Sequence, residues 1–120
     1  MNAALGAALI SLLASASAFA ADLRLLMVEQ PGCIYCASWH EEVGPEYPVT
    51  EEGRAAPLLQ IMLRDPLPEG ITLTRPAAFT PTFILLRDGQ EQGRLEGYPS
   101  EDFFWPLLRK MIQEAQSQGE

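Results

Sequence analysis

The chain holds two cysteines, Cys33 and Cys36, spaced as Cys33-Ile34-Tyr35-Cys36 behind Gln30-Pro31-Gly32. Sulfurs at that spacing can staple the chain, ligate a metal or exchange thiol for disulfide. The staple is a poor use of them. Closing so short a loop is worth roughly 2 kcal/mol, against about 3 for a fifteen-residue loop. Structural zinc takes four ligands, and the only other soft candidate is His40, the single histidine of the chain. Thiol–disulfide exchange needs less. A cysteine at a helix start faces unpaired backbone N–H groups and the positive end of the helix dipole, which stabilise its thiolate. The lower pKa also lowers intrinsic nucleophilicity, so the larger effect is on leaving ability and redox poise. In that reading Cys33 is the nucleophile and Cys36, one helical turn further in, is the resolving thiol.

The elements around the pair must supply a strand end and a helix start. Leu23 to Glu29 is an aliphatic run of strand length, broken by Gln30-Pro31-Gly32, and Cys33 to Val43 reads as a helix. Trp39 and Val43 share one face of that helix, and Gly44-Pro45 stops it. Thr50-Glu51-Glu52 can cap a short helical turn. Leu58 to Leu63 is a second strand, and residues 66–79, with three prolines, read as loop. Pro81 to Arg87 and Gln90 to Glu96 form a hairpin about Asp88-Gly89, a dipeptide that tolerates positive φ at both turn positions. Gly93 is the expected bulge. Ser100 is expected to cap a last helix with an apolar stripe of Phe104, Leu107, Leu108, Met111, Ile112 and Ala115. Pro106 either interrupts that helix early or begins it. The order is β-α-β-loop-β-β-α: an α/β fold with a central mixed sheet of about four strands flanked by helices.

Length and composition bound the function. At 120 residues the chain allows one domain, and 48% hydrophobic residues argue against disorder. A net charge of −8 and scattered basic residues exclude nucleic acid as a partner. From Ala3 to Ala20 the chain is uncharged and ends in Ala18-Phe19-Ala20, a small-x-small cleavage pattern. Residues 1–20 are therefore read as an export signal, with an uncleaved anchor as the alternative, and residues 21–120 as the functional domain. Export would place the protein where disulfides persist.

The strand, the Cys-x-x-Cys at a helix start, and Thr80-Pro81 before a hairpin and closing helix resemble the thioredoxin superfamily. Phe79-Thr80-Pro81-Thr82-Phe83 is similar to its cis-proline loop, which implies a cis Pro81 and a Thr80 backbone offered to a substrate strand. A trans proline at a strand start is the alternative. Glu29 to Cys36, Trp39-His40, Glu46-Tyr47-Pro48, Gly97-Tyr98-Pro99 and Phe103-Phe104-Trp105 resemble the periplasmic SoxS-type thioredoxins of bacterial sulfur-oxidation operons. That resemblance implies a periplasmic, monomeric thiol–disulfide oxidoreductase with no cofactor beyond its cysteine pair. It also implies a SoxYZ-like sulfur carrier as substrate and a membrane thiol transporter as electron donor. A DsbA-like oxidant is the alternative within the class, and a copper- or zinc-binding carrier the alternative outside it.

Ile34 and Tyr35 would face substrate together with Thr80 and Pro81. The family's buried carboxylate falls six residues before the nucleophile, where this chain has Met27. Glu29 lies on the same strand face and could substitute, although a strand-end acid is more often at the surface. His40 could tune the thiolates, although a solvated helix histidine is the commoner case. Glu41, Glu42, Glu46, Glu51 and Glu52 are expected to form a solvated acidic face.

Overall fold

A computed structural model describes residues 6–8 and 21–118. The export-signal reading of residues 1–20 falls almost wholly outside that set. Eight elements follow in chain order: β1 (Leu23–Glu29), α1 (Ile34–Glu42), a 3-10 turn (Tyr47–Val49), α2 (Glu51–Ala55), β2 (Leu58–Met62), β3 (Thr82–Arg87), β4 (Gln90–Glu96) and α3 (Glu101–Ser117). The strands form one mixed sheet in the order β2-β1-β3-β4. β1 runs parallel to β2 and antiparallel to β3, and β3 pairs antiparallel with β4. Central β1 is covered on both faces, which is why residues 25–28 are continuously apolar rather than alternating.

On one face Leu23, Leu25 and Met27 of β1 pack with Phe83 and Leu85 of β3 against α1 and α3. Trp39 is at the centre, fully buried, with ring centroids of Tyr47, Phe83 and Phe104 within 5.9 Å. Thr50 caps α2 by accepting from the Gly53 N–H at 3.0 Å, and the Tyr47 hydroxyl donates to the Ala56 carbonyl. The opposite face, Leu26, Val28, Ile84 and Leu86, is covered by Ile71, Leu73 and Ala77 from the proline-rich loop and by Leu63 just past β2. No helix forms there. Arg94 holds the loop by donating to the Arg75 carbonyl at 2.7 Å and to the Glu91 carboxylate, which also accepts from Thr74.

Three local expectations are corrected. Asp88 and Gly89 do turn the hairpin, with φ of 50° and 80°. The bulge, however, falls at Gln92, because Leu85 pairs with Gly93 while Leu86 pairs with Glu91. Gly93 serves packing instead, since a Cβ there would meet the Met111 sulfur at 3.0 Å. Ser100 occupies the N-cap position of α3 without a side-chain hydrogen bond; its carbonyl accepts from Phe104 N–H. Leu107 is 44% exposed, outside the buried stripe of Phe104, Leu108, Ile112 and Ala115. α3 runs unbroken through Pro106, which lies in its second turn and forfeits only the bond to the Asp102 carbonyl.

Candidate active site

Gly32, at φ 77°, turns the chain out of β1 so that Cys33 becomes the N-cap of α1. Cys33 N–H donates to the Gln30 carbonyl, and its sulfur accepts from the Cys36 N–H at 3.1 Å. A helix-start backbone N–H is thus aimed at the first sulfur, as the spacing predicts. The two cysteines are joined as a disulfide with Cα atoms 5.2 Å apart. They are not equivalent. Cys33 is half-buried, whereas Cys36 is 4% exposed and packs in the core cluster with Met27 and Trp39. Ile34 and Tyr35 between them project outward and are well exposed.

The Thr80–Pro81 peptide bond is cis. Two contacts fix this loop. The Pro81 carbonyl accepts from Gly97 N–H at 2.7 Å, tying it to the end of β4, and Gln30 donates through Nε2 to the Thr80 hydroxyl at 2.7 Å. Gln30 therefore braces the Cys-x-x-Cys turn against the proline loop, a role that nothing in its sequence position signalled. Phe79 beside it is exposed, like Ile34, Tyr35 and Met62.

Glu29 and His40 are brought together, Glu29 buried against its surface reading and His40 with 39% of its side chain still exposed. Glu29 is 8% exposed. Its Oε1 meets His40 Nε2 at 2.5 Å, and its Oε2 accepts from Gln60 Nε2 at 2.9 Å. Gln60 was missed by sequence reasoning, although it is the one polar residue in the run Leu58-Leu59-Gln60-Ile61-Met62. Met27 is fully buried and gives Cys36 no protic neighbour.

The acidic surface is partly engaged. Glu42 accepts from the hydroxyl of buried Tyr98, and Glu52 pairs with Arg109 at 2.9 Å. Burial first, and then the Glu42 carboxylate, push the Tyr98 phenol well above its usual range. Glu41, Glu46 and Glu51 are exposed, as expected.

This geometry can open and re-form a disulfide through an accessible outer sulfur and an enclosed inner one. Comparison with known proteins agrees. The thioredoxin-like domain model matches residues 20–112. The crystal structure of the reduced periplasmic thioredoxin SoxS from Paracoccus pantotrophus superposes with a TM-score of 0.77. It is 61% identical, and the match covers 78% of this chain and 99% of that one. A search of curated proteins gave no match. The chain belongs to the thioredoxin-like family, closely related to the SoxS-type thioredoxins, and is a thiol–disulfide oxidoreductase whose redox centre is the Cys33–Cys36 pair.

Proposed function

We propose that this protein is an exported reductase of disulfides or sulfur adducts on a periplasmic partner, of which a SoxYZ-like sulfur carrier is the leading example. The observation that carries the reading is the asymmetry of the pair: an accessible Cys33 sulfur at a helix N-cap and an enclosed Cys36 behind it. In this mechanism the Cys33 thiolate attacks a substrate sulfur, and the substrate's partner sulfur leaves with the electron pair. Cys36 then attacks the Cys33 sulfur, re-forming the disulfide and releasing the reduced substrate. Ile34, Tyr35, Thr80 and Pro81 form the contact surface, where an extended substrate segment can pair with the Thr80 backbone. Residues 1–20 direct export, residues 21–120 form the working domain, and a membrane thiol transporter returns the pair to its dithiol state. The periplasmic location of the SoxS relative supports the same assignment here.

Blocking the second step tests this. A Cys36→Ser variant expressed in a sulfur-oxidising host should accumulate mixed disulfides through Cys33, identifiable by mass spectrometry of the exported fraction. Their absence would sink the protein-substrate claim. The reduction potential of the pair, at about 30 mV per 1.4 kcal/mol, separates a reductant from a DsbA-like oxidant.

A further inference from the structure

We propose that Arg64, with the cavity it borders beside the Cys33 turn, is a subsite for an acidic side chain two residues from the reacting cysteine of a substrate. The assignment rests on the thiol–disulfide role proposed above and adds to it a substrate class. β1 and β2 run parallel, with Glu29 beside Met62, so both strands end at the same edge of the sheet. Ligands of open α/β sheets bind beyond the carboxyl ends of the strands. Here the chain beyond β1 is Gln30-Pro31-Gly32, which presents Cys33, and the chain beyond β2 is Leu63-Arg64-Asp65. Between the two segments lies a cavity of about 370 Å3, lined by Gln30, Pro31, Met62, Leu63 and Arg64. Pro31 is two residues from Cys33, a reach of at most about 7 Å.

Backbone bonds hold the second segment in place. Leu63 N–H donates to the Glu29 carbonyl at 2.7 Å, and Asp65 N–H to the Met62 carbonyl at 3.0 Å. The Asp65 carboxylate turns back to accept from Met62 N–H at 3.0 Å, and it lines a separate cavity with Leu67 and Arg75. Adjacent residues of opposite charge therefore serve different cavities. Ion pairs among the described residues take Arg75, Arg94, Arg109 and Lys110, and not Arg64, which is exposed. Ile34, Tyr35, Phe79 and Met62, exposed around the disulfide, carry no charge, and the Glu29 carboxylate beneath is held by His40 and Gln60. In a chain of net charge −8, an uncommitted guanidinium stands beside the redox centre.

Strand geometry sets which substrate residue can use it. An extended segment turns every second side chain to the same face, about 7 Å apart. With the reacting cysteine at Cys33, the side chain two residues along falls at the distance of this cavity. Pro31 and Met62 offer apolar walls to its methylenes, and Arg64 offers a fork of N–H donors that matches a carboxylate. The overall negative charge does not cancel this attraction. Glu41, the nearest exposed acid of α1, lies eight residues beyond Cys33, about 12 Å of helix rise. That exceeds the Debye length of about 8 Å at physiological ionic strength.

The test is reduction of symmetrical disulfides of blocked five-residue peptides by the reduced full-length protein, with rates read by acid quench and chromatography. The central cysteine has Glu, Gln or Lys two positions before it in one series and two positions after it in the other. Reduction of the same peptides by dithiothreitol corrects for their intrinsic reactivity. In one series the Glu peptide should react about fivefold faster than the Gln peptide, the upper end for an exposed ion pair, and the Lys peptide more slowly. The responding series gives the direction of the bound segment. Arg64→Gln should abolish the preference, Arg64→Lys should keep part of it, and Arg64→Glu should invert it, which no general loss of structure would do. In 1 M salt, where the Debye length is about 3 Å, the wild-type preference should shrink. Equal rates for Glu and Gln peptides in both series would overturn the subsite and leave the oxidoreductase reading intact, as would a preference that survives Arg64→Gln. If the wild type reduces none of the peptides, the thiol–disulfide role fails, and the subsite falls with it.

Discussion

On one face of the sheet Trp39, Tyr47, Phe83, Phe104 and Trp105 interlock beneath two helices. On the other, four aliphatic side chains are covered by a proline-rich loop that an arginine and two carboxylates tie down. The first face is closed mainly by area and shape, with the Glu29–His40 and Tyr98–Glu42 contacts at its margin, so pH acts on it less. The second is closed by hydrogen bonds and charge, which respond to pH and salt. The active site spans the seam. Cys36 packs into the aromatic face, while Thr80 and Pro81 end the loop that crosses the other. The nucleophile pair is therefore set in the stiffer half and the substrate-facing proline loop in the softer one.

The largest effect should come from the aromatic face. Trp39→Ala removes a fully buried indole and should cost about 4 kcal/mol, read from urea unfolding. Trp39→Phe should cost only about 1 kcal/mol, because the indole N–H has no hydrogen-bond partner to lose. Equal losses for the two variants would mean that the ring's shape carries less than this comparison gives it.

Arg94→Ala probes the other face. It leaves the Glu91 carboxylate, whose side chain is 5% exposed, without its cation, and should cost about 3 kcal/mol. Hydrogen exchange should quicken at residues 72–77 and stay unchanged in α1 and α3. Uniform loosening of both faces would show that they are not separable. Acid offers a second route to the same clamp. Burial by itself would raise the Glu91 pKa, but hydrogen bonds from Arg94 and Thr74 outweigh it and hold the carboxyl below its usual range. The unfolded-state value is about 4.3. The stabilisation is therefore complete above that pH and is lost as pH falls through the lower folded value. Exchange at residues 72–77 should accelerate there before α3 responds. In Arg94→Ala, where only the two Thr74 bonds still oppose burial, that acid sensitivity should shrink.

The same contrast explains what could be read in advance. β1, the Asp88-Gly89 turn and the Thr50 cap depend on residues a few positions apart, and periodicity with turn chemistry placed them correctly. The first face was legible for the same reason, since Trp39 and Val43 or Phe104 and Leu108 repeat at helical spacing. The second face was not. Residues 66–79 have no period, and their hold depends on Arg94 reaching the carbonyl of Arg75, nineteen positions away. At the site, Cys33 and Cys36 announced themselves by spacing. Glu29, His40 and Gln60 did not, because they are brought together across separations of 11 and 31 residues. Each taken singly looks like a surface residue. Bulge placement failed more narrowly: glycine marks permissive backbone, but Gly93 was spent on clearance for Met111, and the extra residue went to its neighbour Gln92.

The smallest effect on stability should appear at the seam itself, and it should not be the smallest effect on function. Gln30 joins the Cys-x-x-Cys turn to Thr80 through one exposed hydrogen bond of 2.7 Å. Gln30→Ala should therefore cost under about 1 kcal/mol in unfolding, as expected for a single solvent-accessible bond. Yet it frees the proline loop, on the softer face, from the turn that presents Cys33. A misplacement of about 1 Å can cost ~100-fold in rate, and a partial loosening should cost about tenfold in reaction with a protein disulfide. A small, unstructured disulfide makes less use of the loop and should react nearly as before. If both substrates slow together, Gln30 acts on the cysteines rather than on the loop. If neither does, the pairing of Val28 in β1 with Thr82 in β3 is enough to hold the two halves of the site in register.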